Sequence, residues 1–173
     1  MKSEDMKKKY QDIQSAFTLI EVVIATFILV TGIMGAFAVI QQVTAYVSTS
    51  SDRLIAAYLT QEGIEIVRNI RDGNWLKNFD WKTGLTGCEA PLGCEADYND
   101  RSLTSYGGRY LKLNDRFYNY NSGADTKFKR KIIVTPAIDP DGADILKVVV
   151  SVEWKEKGSF KLFSAQENLY NWK

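Results

Sequence analysis

Between Phe17 and Ile40 the sequence FTLIEVVIATFILVTGIMGAFAVI is apolar on every side of a helix and carries one ionisable side chain, Glu21. At about 1.5 Å of rise per residue this run makes a helix about 36 Å long, enough to cross a hydrocarbon core of about 30 Å with some tilt. The pattern therefore predicts a membrane-spanning helix over 17–40. From Gln41 the apolar positions fall to spacings of three and four: Val43, Tyr46 and Val47, then Leu54, Ile55, Tyr58, Leu59, Ile66, Val67 and Ile70. That periodicity predicts an amphipathic continuation over 41–71 with one face for a core. Ser48 to Asp52 is polar all round and reads as a solvated neck with room for a kink, or as a capped restart at Ser51 or Asp52. Arg71-Asp72-Gly73-Asn74 reads as a basic last turn followed by a glycine stop.

Over 72–173 the pattern predicts a globular, β-rich domain. Trp75 to Tyr106 is rich in Gly, Asn and Asp and reads as irregular, with Trp75, Trp81, Leu85 and Leu92 as scattered anchors. Tyr110–Leu113 and Phe117–Tyr120 flank Asn114-Asp115 and read as a hairpin. Three longer strands follow, Phe128–Ala137, Ile145–Lys155 and Ser159–Ala165, separated by turn chemistry in Asp139-Pro140-Asp141-Gly142 and Lys157-Gly158. In the middle strand Val148, Val150, Val152 and Trp154 alternate with Val149, Ser151, Glu153 and Lys155, so one face is buried and the other mostly solvated. The fold class expected is α+β, an antiparallel meander laid on the second half of a long helix. The tail Leu169-Tyr170-Asn171-Trp172 is expected to pack an aromatic anchor against the domain.

Charge adds little to this picture. The 22 basic and 21 acidic residues of the 173 leave a net charge of +1, so no global field recruits nucleic acid or an acidic substrate. With no histidine in the chain, the commonest catalytic base and metal ligand is missing. No nucleophile and base fall into a constellation, and the reading is of a non-enzymatic protein without a cofactor. Asp139, Asp141 and Asp144 sit at a spacing that can converge on calcium, but turns between strands are rich in Asp and the bidentate Glu of an EF-hand is missing. Lys127, Lys129, Arg130 and Lys131 beside Phe128 suit contact with DNA, and suit equally a charged strand edge that discourages aggregation. Tyr106, Tyr110, Tyr118 and Tyr120 read as buried sheet aromatics ahead of an adhesive surface.

The N-terminal end sets the topology. Lys2, Lys7, Lys8 and Lys9 precede the apolar run, which by the positive-inside tendency keeps that end cytoplasmic and puts the C-terminal domain on the far side of the membrane. No small-residue cleavage site follows the run, so the hydrophobic segment is expected to stay in the mature protein. In that compartment Cys88 and Cys94, in CEAPLGC, read as a disulfide closing a short loop. A zinc site is disfavoured by the spacing and by the lack of histidine.

At the junction, Ala16-Phe17-Thr18-Leu19-Ile20-Glu21 behind a lysine-rich leader and ahead of an unbroken apolar helix resembles the type IV prepilin signal. That signal is shared by type IV pilins and type II secretion pseudopilins, and Ile28–Phe37, ILVTGIMGAF, is most similar to PilV-type minor pilins and I-type minor pseudopilins. The resemblance covers about a quarter of the chain. It implies a pilin-like fold and a cytoplasmic leader, 1–16, removed by a membrane prepilin peptidase at the Ala16–Phe17 bond, with N-methylation of Phe17. It also implies assembly with other pilin subunits through an inner-membrane platform. The family usually has Gly before the cut, where this chain has Ala16, and many major pilins carry a kinking proline in the helix, where this chain has none.

Physical chemistry supplies a reason for the motif. Cutting before Phe17 creates a cationic amine four residues from Glu21, and two opposite charges at the same depth in a low-dielectric setting attract strongly. Met between neighbouring subunits, that pair compensates the cost of placing Glu21 among lipid tails; the bland alternative is that Glu21 snorkels to the headgroups. Gly32, Gly35 and Ala36 leave a flat strip on which helices can approach closely, although glycine is also simply tolerated in membrane helices. The expected function is a minor pilin subunit, held as a single-pass membrane protein and then built into a cell-surface filament. A secretion pseudopilin and a membrane-anchored binding domain that never assembles are the alternatives.

Overall fold

Residues 17–171 are described in the computed structural model. The expected leader over 1–16, with Ala16, lies outside the described residues, as does Trp172 of the tail expected to supply an aromatic anchor; Tyr170 of that tail is 42% exposed. The chain forms two compact units divided between Val47 and Ser48. Helix α1 runs from Leu19 to Leu76, 58 residues, and the polar stretch Ser48 to Asp52 is helical throughout.

In the first unit every side chain from Phe17 to Thr44 is exposed, including Phe27, Met34 and Phe37 at more than 60%. Its most apolar 18-residue stretch has a mean hydropathy of 2.5 and none of it is buried. A helix with such a surface is long and apolar enough to cross a membrane. Thr26, Thr31 and Thr44 turn their hydroxyls back to the carbonyls of Val22, Phe27 and Ile40 at 2.8–2.9 Å, so these three hydroxyls need no water.

In the second unit α1 buries one face: Ala56, Leu59, Gly63, Ile66, Val67, Ile70 and Trp75. It ends one turn beyond the Arg71–Asn74 stop expected from the sequence. Asn78 adopts φ 56°, its N–H donates to the Trp75 carbonyl at 3.0 Å and the Phe79 N–H to the Asn74 carbonyl at 2.9 Å. This is the paired closure of a Schellman turn with Asn in the left-handed position. Trp75, expected in the irregular stretch, is therefore helical and stacks on Trp81 with ring centroids 6.4 Å apart.

Among the described residues eight strands follow: β1 Cys94–Glu95, β2 Thr104–Ser105, β3 Lys112–Asn114, β4 Phe117–Asn119, β5 Ala124–Asp125, β6 Phe128–Ile138, β7 Asp144–Glu156 and β8 Ser159–Tyr170. They make a five-stranded sheet ordered β2-β1-β6-β7-β8 and a three-stranded one ordered β4-β3-β5, antiparallel throughout. The expected meander is β6-β7-β8. Its register pairs Phe128 with Trp154 and Glu156 with Ser159, and the latter hairpin is closed by Lys157 and Gly158, both at positive φ. The other hairpin turns at Asp115-Arg116, φ 45° and 75°, one residue beyond the expected Asn114-Asp115.

The alternation along β7 places Val148, Val150, Val152 and Trp154 inward, all at most 4% exposed, as the sequence predicts. They meet Val67, Ile70, Val134 and Leu169 in one cluster, and Ala56, Leu59, Leu111, Tyr120 and Phe128 in a second. β8 extends five residues past the expected Ala165, so Leu169 enters the core as part of a strand. Leu92 is no anchor: it stands 75% exposed within the loop between Cys88 and Cys94.

Candidate functional site

Thr18 opens α1. Its carbonyl accepts the Glu21 N–H at 3.0 Å and the Val22 N–H at 3.2 Å, and its hydroxyl accepts the Glu21 N–H at 3.3 Å. Thr18 is thus the N-cap and Glu21 the third helical residue, the T-x-x-E spacing of a capping box. An acidic side chain in the first turn also complements the helix dipole. The chain accordingly holds Glu21 near the Phe17 end for a local reason as well, and the signal for it was legible in Thr18-Leu19-Ile20-Glu21. Phe17 is 78% exposed.

Gly32, Gly35 and Ala36 are exposed, and a Cβ at either glycine would meet nothing within 4 Å. The strip is open for a neighbouring helix or for lipid. Cys88 and Cys94 form a disulfide with Cα atoms 5.2 Å apart and both residues buried. The bridge is woven into the sheet: Cys94 pairs with Ile132, and the Val134 N–H donates to the Cys88 carbonyl at 3.1 Å.

The basic group on β6 is split by the pleat. Lys129 and Lys131 lie on the outer face, over the rings of Tyr110 and Tyr106 at 4.5 and 5.2 Å. Arg130 turns inward and is fully buried. Its Nη1 donates to Glu62 at 2.8 Å and to the Leu59 carbonyl at 3.3 Å, and its Nη2 to the Ala96 carbonyl at 2.8 Å. Arg130 therefore belongs to the core, contrary to its sequence-based place in a surface cluster, and it ties helix, strand and loop together. Lys127 pairs with the buried Asp52 of α1 at 2.5 Å.

The four tyrosines also separate. Tyr120 is buried and its hydroxyl donates to the Arg130 carbonyl at 3.3 Å; burial pushes its pKa up to about 12. Tyr106 and Tyr118 are half-buried, which raises theirs as well, and Tyr110 is exposed, so they do not form one buried set.

Asp139, Asp141 and Asp144 do not converge. Asp139 Oδ1 accepts the N–H groups of Asp141 and Ala143 at 3.0 and 2.7 Å, closing its own loop, and Asp144 pairs with Lys82 at 2.5 Å. Among the described residues no group of three or more acidic, Cys or His side chains is placed to hold a metal ion. No family model, curated protein or solved structure matches the chain.

Proposed function

We propose that the protein is a structural subunit, a minor pilin, of a type IV pilus-like filament. It is stored in the membrane by the helix 17–40 and added to the filament after cleavage before Phe17. The observation that carries this reading is a helix surface exposed on every side whose single ionisable residue, Glu21, lies four positions from Phe17. A new amine at Phe17 gives Glu21 of a neighbouring subunit a partner at matching depth, and the open strip at Gly32, Gly35 and Ala36 allows the close approach that stacking requires. The domain from Ser48 onward is the part of the subunit displayed outside the lipid.

The test is the mature N-terminus. Mass spectrometry of the protein from its native host is expected to find N-methylated Phe17, and an intact Met1 in assembled filaments overturns the reading. The Thr18 cap favours a second reading, because it gives Glu21 a role inside one chain. In that reading the helix only anchors an extracytoplasmic domain, and Glu21 substitutions leave every assembly property unchanged.

A further inference from the structure

Away from the helix, a cavity of about 240 Å³ opens between the β1–β2 connection and the small sheet, lined by Asp97, Asn99, Asp115, Asn121 and the rings of Tyr98 and Phe117 among others. Asp97 is 97% buried, by its exposure of 3%. Its Oδ2 accepts the Tyr120 N–H at 3.2 Å and the Asn121 side-chain amide at 3.1 Å, whereas its Oδ1 accepts nothing. A buried carboxylate oxygen without a donor is costly, and native proteins satisfy such atoms. Two large rings stand exposed beside it: Tyr98 at 50% and Phe117 at 57%, stacked with centroids 5.4 Å apart.

We propose that this cavity binds a neutral sugar ring, with Asp97 Oδ1 and the amides of Asn99 and Asn121 meeting ring hydroxyls and the Tyr98–Phe117 pair lying against the ring's C–H face. A sugar hydroxyl supplies the donor that Asp97 lacks, side-chain amides both donate and accept, and the apolar face of a pyranose covers aromatic surface. An anion is repelled by Asp97 and Asp115. A hard cation wants six or more oxygens, and the lining offers carboxylates at these two positions alone, while Asn119 Oδ1 is already taken by the N–H groups of Asn121 and Ser122. A cation also leaves the two exposed rings without a role.

The test uses the full chain in micelles of a sugar-free zwitterionic detergent, with saturation-transfer NMR against glucose, galactose, mannose and N-acetylglucosamine. Transfer to the ring protons of at least one sugar is expected, with its apparent Kd raised at least tenfold in Asp97→Asn and in Asn99→Ala; Asn99 is exposed, so its truncation leaves the fold intact. No transfer to any of the four, or transfer undiminished in both variants, overturns the proposal. Terbium luminescence sensitised by the nearby tyrosines and lost in Asp97→Asn overturns it too, by assigning the cavity to a hard cation.

Discussion

The hydroxyl of Thr18 accepts the backbone N–H of Glu21 at 3.3 Å, which places a helix cap and the one ionisable residue of the apolar run in the same turn. Capping and the proposed filament assembly both use this turn, and they separate under mutation. Thr18→Ala removes the cap at a cost of about 0.5–2 kcal/mol to the first turn and leaves the Glu21 carboxylate in place. Faster amide exchange at Glu21 and Val22 in micelles is expected, with incorporation into filaments retained. Glu21→Val removes the charge and is expected to keep membrane insertion while reducing incorporation severely. Equal incorporation of Glu21→Val and the parent chain removes the charge-pair argument.

Gly63 sets how closely α1 approaches the sheet. A Cβ there would stand 2.7 Å from Val150 Cγ1 and 3.1 Å from Arg130 Cδ, and both neighbours are fully buried. A β-branched Val150 has no free rotamer to move into, so the helix must lift. Gly63→Ala gains about 1 kcal/mol of helix propensity and loses about 1–3 kcal/mol to overpacking. A net loss is expected, read as a melting temperature several degrees lower; an unchanged or higher value means the interface is looser than its distances imply.

Arg130 is held by three acceptors, two on α1 and one in the loop after β1, and Glu62 is its charge partner. Removing one partner of a buried pair costs about 3–5 kcal/mol, while an apolar side chain of similar volume is often tolerated. Arg130→Ala is therefore expected to unfold the domain at much lower denaturant, and Arg130→Met combined with Glu62→Leu to recover most of the loss. Chemical denaturation of the parent chain, Arg130→Ala, the single variants Arg130→Met and Glu62→Leu, and the double variant measures this. Additive losses in the double variant would show that Arg130 acts by volume rather than by pairing.

The sequence pattern carried the large elements because each rests on a period. The run from Phe17 to Ile40, the spacing of Leu59, Ile66, Val67 and Ile70, and the alternation from Val148 to Trp154 all survive in the fold. What was lost turned on single residues whose role depends on partners distant in the chain. Adjacency groups Arg130 with Lys129 and Lys131, although the same alternation that reads β7 puts it on the opposite face from both. Glycine is the commonest left-handed residue, which makes Gly73 the expected helix stop; Asn78 does that work instead, and nothing crowds Gly73. The Asp97 cavity joins residues near 97–99 to residues 114–122, a juxtaposition that no local pattern contains.

Tyr120 offers the last test, at alkaline pH. Its ring is buried, its hydroxyl donates to the Arg130 carbonyl, and its folded pKa lies at about 12 against an ordinary value of 10.0. Burial is the main cause, since it penalises the phenolate; Arg130 pulls the other way. In the unfolded chain the phenol loses its proton near pH 10, whereas in the folded chain it keeps it. The unfolded state thus binds fewer protons between pH 10 and 12, and stability falls as pH rises through that window, by at most about 1.4 kcal/mol per pH unit from this group. Below pH 10 both states are protonated and the effect vanishes. Tyr120→Phe deletes the titration together with one hydrogen bond. Compared with the parent chain, the variant is expected to be less stable at pH 8 and to lose less stability between pH 10 and 12, read by denaturant midpoints across that range. Parallel pH profiles for the two chains would show that the Tyr120 hydroxyl ionises as freely in the folded protein as in water.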